Sequence, residues 1–540
     1  MIARKLTIFF LAAFLLLLAG CAPSKDRDVD VGIDAKDEIK TELPEKQDGI
    51  VSDDMEVVSG RKGKFDFGIE YAPLGLAKAY AESGAHVVKP FPALVMWKNI
   101  QKSATSSYDW SSVDAIIKEY HDSGFDKIQL VITAESNWGS RDAAGLKVKD
   151  TRPKKEYEKA YVDFVKAAVE RYDKDGKDDM PGLKYAINEW SIEREFSGFF
   201  PGSGSDYVEV LKLAYPAVKS ANKNAKVMLN ALLMLNIFDG NANEAKISTS
   251  LKKPLLGSKS LNEIYLILDQ TNYYDVVDIH LLGDYTEIYG MVNWIKSELK
   301  KRNAEKEIYG GDVFPMSPLL AYGIESCKPG LFAATEFYPV TPGTRCEAAN
   351  MIDAMRKVNS KDHKKAMEWI EKNIAINIPR KYVVAADAGL KGINIGNMND
   401  WFLPIGAGIS SNMGLMDTTV FGSMNKAGEK RPGFYALKMS IKYLDGFSSV
   451  SRIELGKNIY AYNFIKNNKN IIVAWHDDGK FYGLDKETPS IAVELPWKGS
   501  SAKIIEVPMK RGEQEGKQQL VQVSKGKIRF ELGYAPVFIE

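Results

Sequence analysis

From Phe65 onward, short apolar runs alternate with amphipathic stretches eight times over, a rhythm that few folds accept. The runs are Phe65–Ile69, His86–Phe91, Lys127–Ile132, a glutamate-rich run within Pro181–Phe196, Lys226–Asn230, Val276–His280, Glu307–Asp312 and Gly392–Gly396. Between them, Ser111–Tyr120, Tyr207–Lys219 and Tyr289–Lys300 place apolar residues three and four apart, the period of a helix with one buried face. Strands that alternate with helices form parallel sheets, because a helical crossover is what returns the chain to begin a parallel neighbour. Eight such units predict an α/β fold, a (β/α)8 TIM barrel over residues 64–444.

Past Leu444 the character changes. Runs such as Ile459–Phe464 and Asn470–Trp475 are separated by Asn, Gly and Lys turns, which predicts a small C-terminal β-sandwich over 445–540. A chain of 540 residues, 45% hydrophobic and 26% charged, is long enough to bury both cores. Lys+Arg 72 against Asp+Glu 71 leaves a net charge of +1, so there is no basic footprint for nucleic acid.

The N-terminus carries its own information. Arg4 and Lys5 precede an apolar run, Leu6–Leu18, that is too short for a comfortable membrane span and has the form of a signal-peptide core. The Leu18-Ala19-Gly20-Cys21 that follows resembles the lipobox of bacterial lipoproteins. That resemblance implies removal of residues 1–20, acylation of Cys21 and a lipid anchor in a bacterial membrane, with the protein facing the periplasm or the cell exterior. Residues 21–63, rich in Asp, Glu, Lys and Ser, are expected to be a solvated tether. Cys327 and Cys346, nineteen positions apart, are then either a disulfide or two free thiols.

The barrel itself resembles clan A glycoside hydrolases, in the style of families 39 and 5. The resemblance lies in Gly84–Lys89 through Trp97, in Tyr108–Trp110 with Val113-Asp114, in Asp206–Val208 with Leu211–Lys219, in Tyr274–His280 and in Arg431–Ala436. It implies cleavage of O-glycosidic bonds in a polysaccharide by two carboxyl groups, one ending strand four and one ending strand seven, with no cofactor and no metal. On strand four, Asn188-Glu189 matches the clan's Asn-Glu pair at first sight. Clan sequences with a Met-Pro-Gly-Leu entry carry the acid five residues after a strand tryptophan, and by that register Trp190 places Glu195 at the acid and Arg194 at the expected Asn. Glu189 would then lie within the strand, away from its C-terminal end, where barrel enzymes place their chemistry.

Strand seven offers Asp312 where the clan has Glu, one methylene and roughly 1.5 Å shorter. Strand two offers Lys89 where many relatives have Arg, without the planar fork. Glu336 is a further nucleophile candidate, inside the Cys327–Cys346 loop. His280 is expected to contact substrate or orient the nucleophile, and Trp97, Trp138 and Trp401 to stack on sugar faces. Asn397, Asn399 and Asp400 are candidates for binding hydroxyls, and Asp173–Asp179 reads as a turn, not a calcium loop. The departures at Lys89, Arg194 and Asp312 leave a second expectation open, a catalytically degenerate protein that binds glycan in envelope or exopolysaccharide assembly.

Overall fold

The computed structural model of the chain describes residues 57–72, 74–91, 94–143, 148–235, 237–238, 242–252, 259–316, 342–396, 398–400, 412–419 and 426–540. Eight parallel strands close a barrel: β1 (Asp66–Glu70), β2 (Val87–Lys89), β3 (Lys127–Thr133), β4 (Glu189–Ile192), β5 (Lys226–Leu233), β6 (Val276–Leu281), β7 (Glu307–Val313) and β8 (Gly392–Ile395). Strand β8 pairs back onto β1, so no barrel edge is left open. All eight coincide with the expected runs. Closure explains their composition, because a strand covered on both faces has no solvent side on which to alternate. All six residues of β6 and six of seven in β3 are buried.

Local signals set the helices. Ser111–Ser123 ends on Gly124, whose φ of 106° lets the chain leave through left-handed backbone. Gly204–Ala221 begins with a capping box: Ser203 accepts from the Asp206 amide while the Asp206 carboxylate accepts from the Ser203 amide. A helix absent from the sequence expectations, Lys361–Ala388, contains Pro379, a residue that ordinarily stops one, and carries Arg380 and Lys381 fully buried.

The C-terminal domain is a second, antiparallel structure. Strands β9 (Ser449–Ile453), β10 (Ile459–Lys466), β11 (Lys469–His476), β13 (Ser501–Glu506), β14 (Gln518–Gln522) and β16 (Val537–Ile539) belong to a seven-stranded sheet, and β12 (Ile491–Pro496) pairs with β15 (Lys527–Leu532). Period two decides how the sheet packs. Ile472 and Ala474 of β11 join Val493, Leu495, Ile528 and Phe530 in a core between the two sheets. The alternate residues Ile471, Val473 and Trp475 join the apolar cluster of the barrel domain. Both faces are therefore buried, which couples the domains.

Arg380 sits at that junction. Its Nη1 donates to Asp477 Oδ2 at 2.9 Å, its Nη2 to the Tyr534 carbonyl, and the guanidinium lies 4.0 Å from the Tyr534 ring centroid. Tyr285, just beyond β6, donates to the same Asp477 oxygen at 2.7 Å.

One boundary differs from expectation. Val57–Lys62, assigned to the tether, is a strand that pairs antiparallel with β9 at the edge of the C-terminal sheet. Its partner lies almost four hundred residues away, so no local periodicity announces it. Cys21, the apolar run before it and the tether up to residue 56 lie outside the described residues, as do Cys327, Glu336, Asn397 and Trp401. Cys346 is disulfide-bonded, and Cys327, its expected partner, lies among those. Among the described residues, no helix is long and apolar enough to cross a membrane.

Candidate active site

Charged residues separate along the barrel axis. At the N-terminal ends of the strands, Lys127 bridges Asp66 at 2.5 Å and Glu189 at 2.7 Å, and Lys226 pairs with Glu307 at 2.5 Å. Glu189 also accepts from Gln129 at 2.6 Å, and Gln129 in turn accepts from Asn394 at 2.7 Å. Glu189 is thus the foot of a satisfied polar ladder inside the barrel, remote from the C-terminal mouth. Its ion pair accounts for the carboxylate, and the sequence expectation that made Glu189 a second catalytic candidate meets no substrate-facing geometry here.

At the other end, four carboxyls and two bases converge. Glu70 ends β1, Lys89 ends β2, Glu195 lies three residues past β4, Asp278 and His280 stand on β6, and Asp312 on β7. All six are buried. Lys89 Nζ donates to the Gly311 carbonyl at 3.1 Å and lies 3.4 Å from Asp278 Oδ2 and 3.9 Å from Glu70 Oε1. Asp278 Oδ1 accepts from the Gly311 amide at 2.7 Å, and a Cβ at Gly311 would fall 2.3 Å from both Asp278 oxygens, so only glycine admits this packing.

His280 ties the two expected carboxyls together. Its Nδ1 is hydrogen-bonded to Glu195 Oε2 and lies 3.9 Å from Asp312 Oδ2. The nearest oxygens of Glu195 and Asp312 are therefore within about 7 Å of each other, that distance plus one hydrogen bond. Burial pushes the imidazole's affinity for its proton down, but the charge and hydrogen bond of Glu195 outweigh it; Lys89 opposes them, Asp312 assists, and the net shift is upward. The loop after Glu195 turns tightly: the amides of Phe199 and Phe200 both donate to the Glu195 carbonyl, and a Cβ at Gly198 would lie 1.9 Å from Glu195 Oε1.

Other candidates separate. Arg194 pairs with buried Glu135, which also binds Lys98, so its guanidinium is held by the loop after β3. Trp97 is fully buried; its Nε1 donates to Gln101 at 2.9 Å and its ring packs on Trp138, Tyr161 and Phe164. Trp138 donates to the Gln101 carbonyl at 3.0 Å and packs edge-on against Trp97 and Tyr157. Of the three tryptophans expected to stack on sugar, Trp97 is a core residue and Trp138 is half-buried against it, because each ring turns back onto helix Glu158–Arg171 or the segment leading into it. Asp400 is engaged by Arg431 and the Gly414 amide, and Asn399 donates to the Asp400 carbonyl. Among the described residues, exposed aromatic rings just past the C-terminal ends of barrel strands are those of Phe91, 40% exposed after β2, and Phe199, 48% exposed in the loop after Glu195.

Glu70, Asp278 and Glu193 were not anticipated. The available signal was a carboxylate at or near the end of an apolar barrel strand, the same signal that marks Asp312. Glu193 takes a left-handed φ of 65° at the exit of β4 and is fully buried, accepting from the Ala134 amide at 2.6 Å and Thr151 Oγ1 at 3.4 Å. Burial pushes its carboxyl from 4.5 up to about 7, against those hydrogen bonds. Because the folded protein keeps this proton where the unfolded chain releases it, stability falls as pH rises from about 4.5 to about 7. Glu193→Gln removes that loss, and urea titrations at pH 8 should show the variant more stable than wild type by about 1–3 kcal/mol, the gap closing near pH 4.

No family model matches the chain, and no curated protein matches it. Solved structures do share its fold. A glucosidase from Croceicoccus marinus aligns at 12% identity with a TM-score of 0.51, covering 90% of this chain and 96% of its own. CelM2, a bifunctional glucanase-xylanase from a metagenome library, aligns at 9% identity and TM-score 0.51, covering 90% and 97%. A conserved exported protein from Bacteroides fragilis aligns at 9% identity and TM-score 0.53, covering 90% and 99%. At these identities the likeness extends to the barrel with its C-terminal β-domain, and to nothing finer.

Proposed function

We propose that this protein hydrolyses O-glycosidic bonds of an extracytoplasmic polysaccharide, with Glu195 as general acid and base and Asp312 as the second carboxylate. One observation carries the reading: His280 bridges two buried carboxyls at the C-terminal mouth of a closed barrel, at the ends of strands four and seven. Hydrolysis of an acetal needs a proton delivered to the leaving oxygen and a negative charge opposite, either as nucleophile or as base for water. Glu195 and Asp312 are set to divide those tasks. His280, held close to both, keeps the Glu195 carboxyl oriented and supplies positive charge between the two acids.

Two of the three fold relatives are a glucosidase and a glucanase-xylanase, which puts glucans and xylans among the first substrates to try. Phe91 and Phe199 are the aromatic surfaces that would stack on sugar rings in place of Trp97 and Trp138. A lipid anchor at Cys21 would hold this site at the membrane surface, facing outward.

A glycan panel incubated with wild type and with Asp312→Asn tests the reading. Release of new reducing ends from at least one glycan by the wild type, falling by at least about a hundredfold in the variant while affinity for that glycan persists, is the expected outcome. Binding by both proteins with no turnover by either would establish a degenerate glycan-binding protein instead.

A further inference from the structure

Glu70 has no task in the reading above, yet it is fully buried at the centre of the site. Neither of its oxygens has a hydrogen bond of good geometry, and Asp312 Oδ1 is likewise unpaired. The two carboxyls crowd one glycine: a Cβ at Gly396 would lie 2.9 Å from Glu70 Oε2 and 3.4 Å from Asp312 Oδ1. Cations do not balance this cluster. Lys89 is nearest Asp278, at 3.4 Å against 3.9 Å to Glu70, and His280 is bonded to Glu195. Four ionised carboxyls would leave two negative charges uncompensated in a buried volume, a costly arrangement. Asp278, equally buried, receives the Gly311 amide and lies nearer Lys89, whereas Glu70 is approached by Tyr71 and, at 3.9 Å, by Lys89.

We propose that Glu70 is a positioning residue for Asp312: a carboxylic acid that keeps its proton over the working pH range and shares it with the Asp312 carboxylate, fixing that carboxylate at the mouth without adding a cation. The proposal rests on the glycosidase reading for its effect on turnover. His280 already sets one positive charge 3.9 Å from Asp312, and a second cation would blunt the carboxylate as a nucleophile or base, whereas a neutral O–H donor orients it at lower electrostatic cost. Burial, then the negative charge and hydrogen bonding of Asp312, push the Glu70 carboxyl well above the usual carboxylate range, with Lys89 and Tyr71 pulling the other way. Asp278 and His280 from β6 and Glu195 after β4 complete the charged surroundings. Once Glu70 ionises at high pH, Asp312 loses its donor and faces a second negative charge, so activity falls on the alkaline side.

Glu70→Gln keeps a donor of the same shape but cannot titrate. It should turn over substrate within about threefold of wild type near neutral pH while the alkaline fall in kcat moves to higher pH or disappears, and Glu70→Leu, with no donor, should lose at least about tenfold in kcat. A Glu70→Gln protein as impaired as Glu70→Leu, or one whose alkaline limb stays where wild type has it, would overturn the proposal. Infrared difference spectra at pH 7 decide the proton independently of turnover. A protonated-carboxyl C=O band present in wild type and missing from Glu70→Gln supports the shared proton, and its absence from wild type refutes it even if no glycan is hydrolysed.

Discussion

Glu195→Gln is expected to lower kcat on an unactivated glycan by about 10²–10⁴-fold, with the fold intact. Glutamine has the same shape and still pairs with His280 Nδ1, and Gly198 leaves room for it, so the packing around the site should not move. What disappears is the proton for the leaving oxygen. The loss should therefore depend on the leaving group: an aryl glycoside whose phenolate departs unaided should suffer far less in the first step than a sugar leaving group does. Parallel kinetics on the two substrate types check this. A uniform loss on both would mean that Glu195 acts through binding or structure, and an unchanged kcat would remove it from the chemistry.

The largest expected effect on stability lies at the domain junction. Arg380 is fully buried between helix Lys361–Ala388 and the C-terminal sheet, where it pairs with Asp477 and with the Tyr534 carbonyl. Arg380→Met fills similar space but leaves Asp477 without its cation, and breaking a buried pair from one side costs about 3–5 kcal/mol. Tyr285, which donates to the same carboxylate, would retain one hydrogen bond and hold the loss toward the lower end. The same helix makes an exposed contact with the same domain through Lys365 and Asp485, whose side chains are 51% and 69% exposed. Lys365→Met should cost less than about 1 kcal/mol, since solvent screens such a pair. Urea denaturation of the three proteins compares them directly; equal costs for both variants would mean that the apolar contacts of β10 and β11, and not the buried arginine, set the coupling of the domains.

How much of this was visible in the sequence depends on whether the information was local. All eight barrel strands announced themselves, because a doubly covered strand must be an apolar run and its crossover helix must be amphipathic. The position of Glu195 at the barrel mouth followed from register relative to Trp190, which is buried and donates from its indole to the Ile187 carbonyl at 3.1 Å. The direction of a side chain was harder to read. Trp97 follows β2 as a sugar-binding residue would, but nothing in one strand shows that a helix sixty residues later supplies Tyr161 and Phe164 to enclose it. Glu70 was passed over because it sits one residue beyond the run Phe65–Ile69, and only barrel closure sets β1 near β7. Val57–Lys62 was hidden for the same reason, its partner strand being at the opposite end of the chain.

The central claim is that Glu195 and Asp312 work as one catalytic unit, and the double variant measures it. On a glycan that the wild type hydrolyses, kcat should be determined for Glu195→Gln, for Asp312→Asn and for both together. Groups that act on one transition state are strongly non-additive, so the double variant is expected to be within about tenfold of the slower single variant. Losses that multiply across the two sites, or a double variant that retains wild-type turnover, would contradict it.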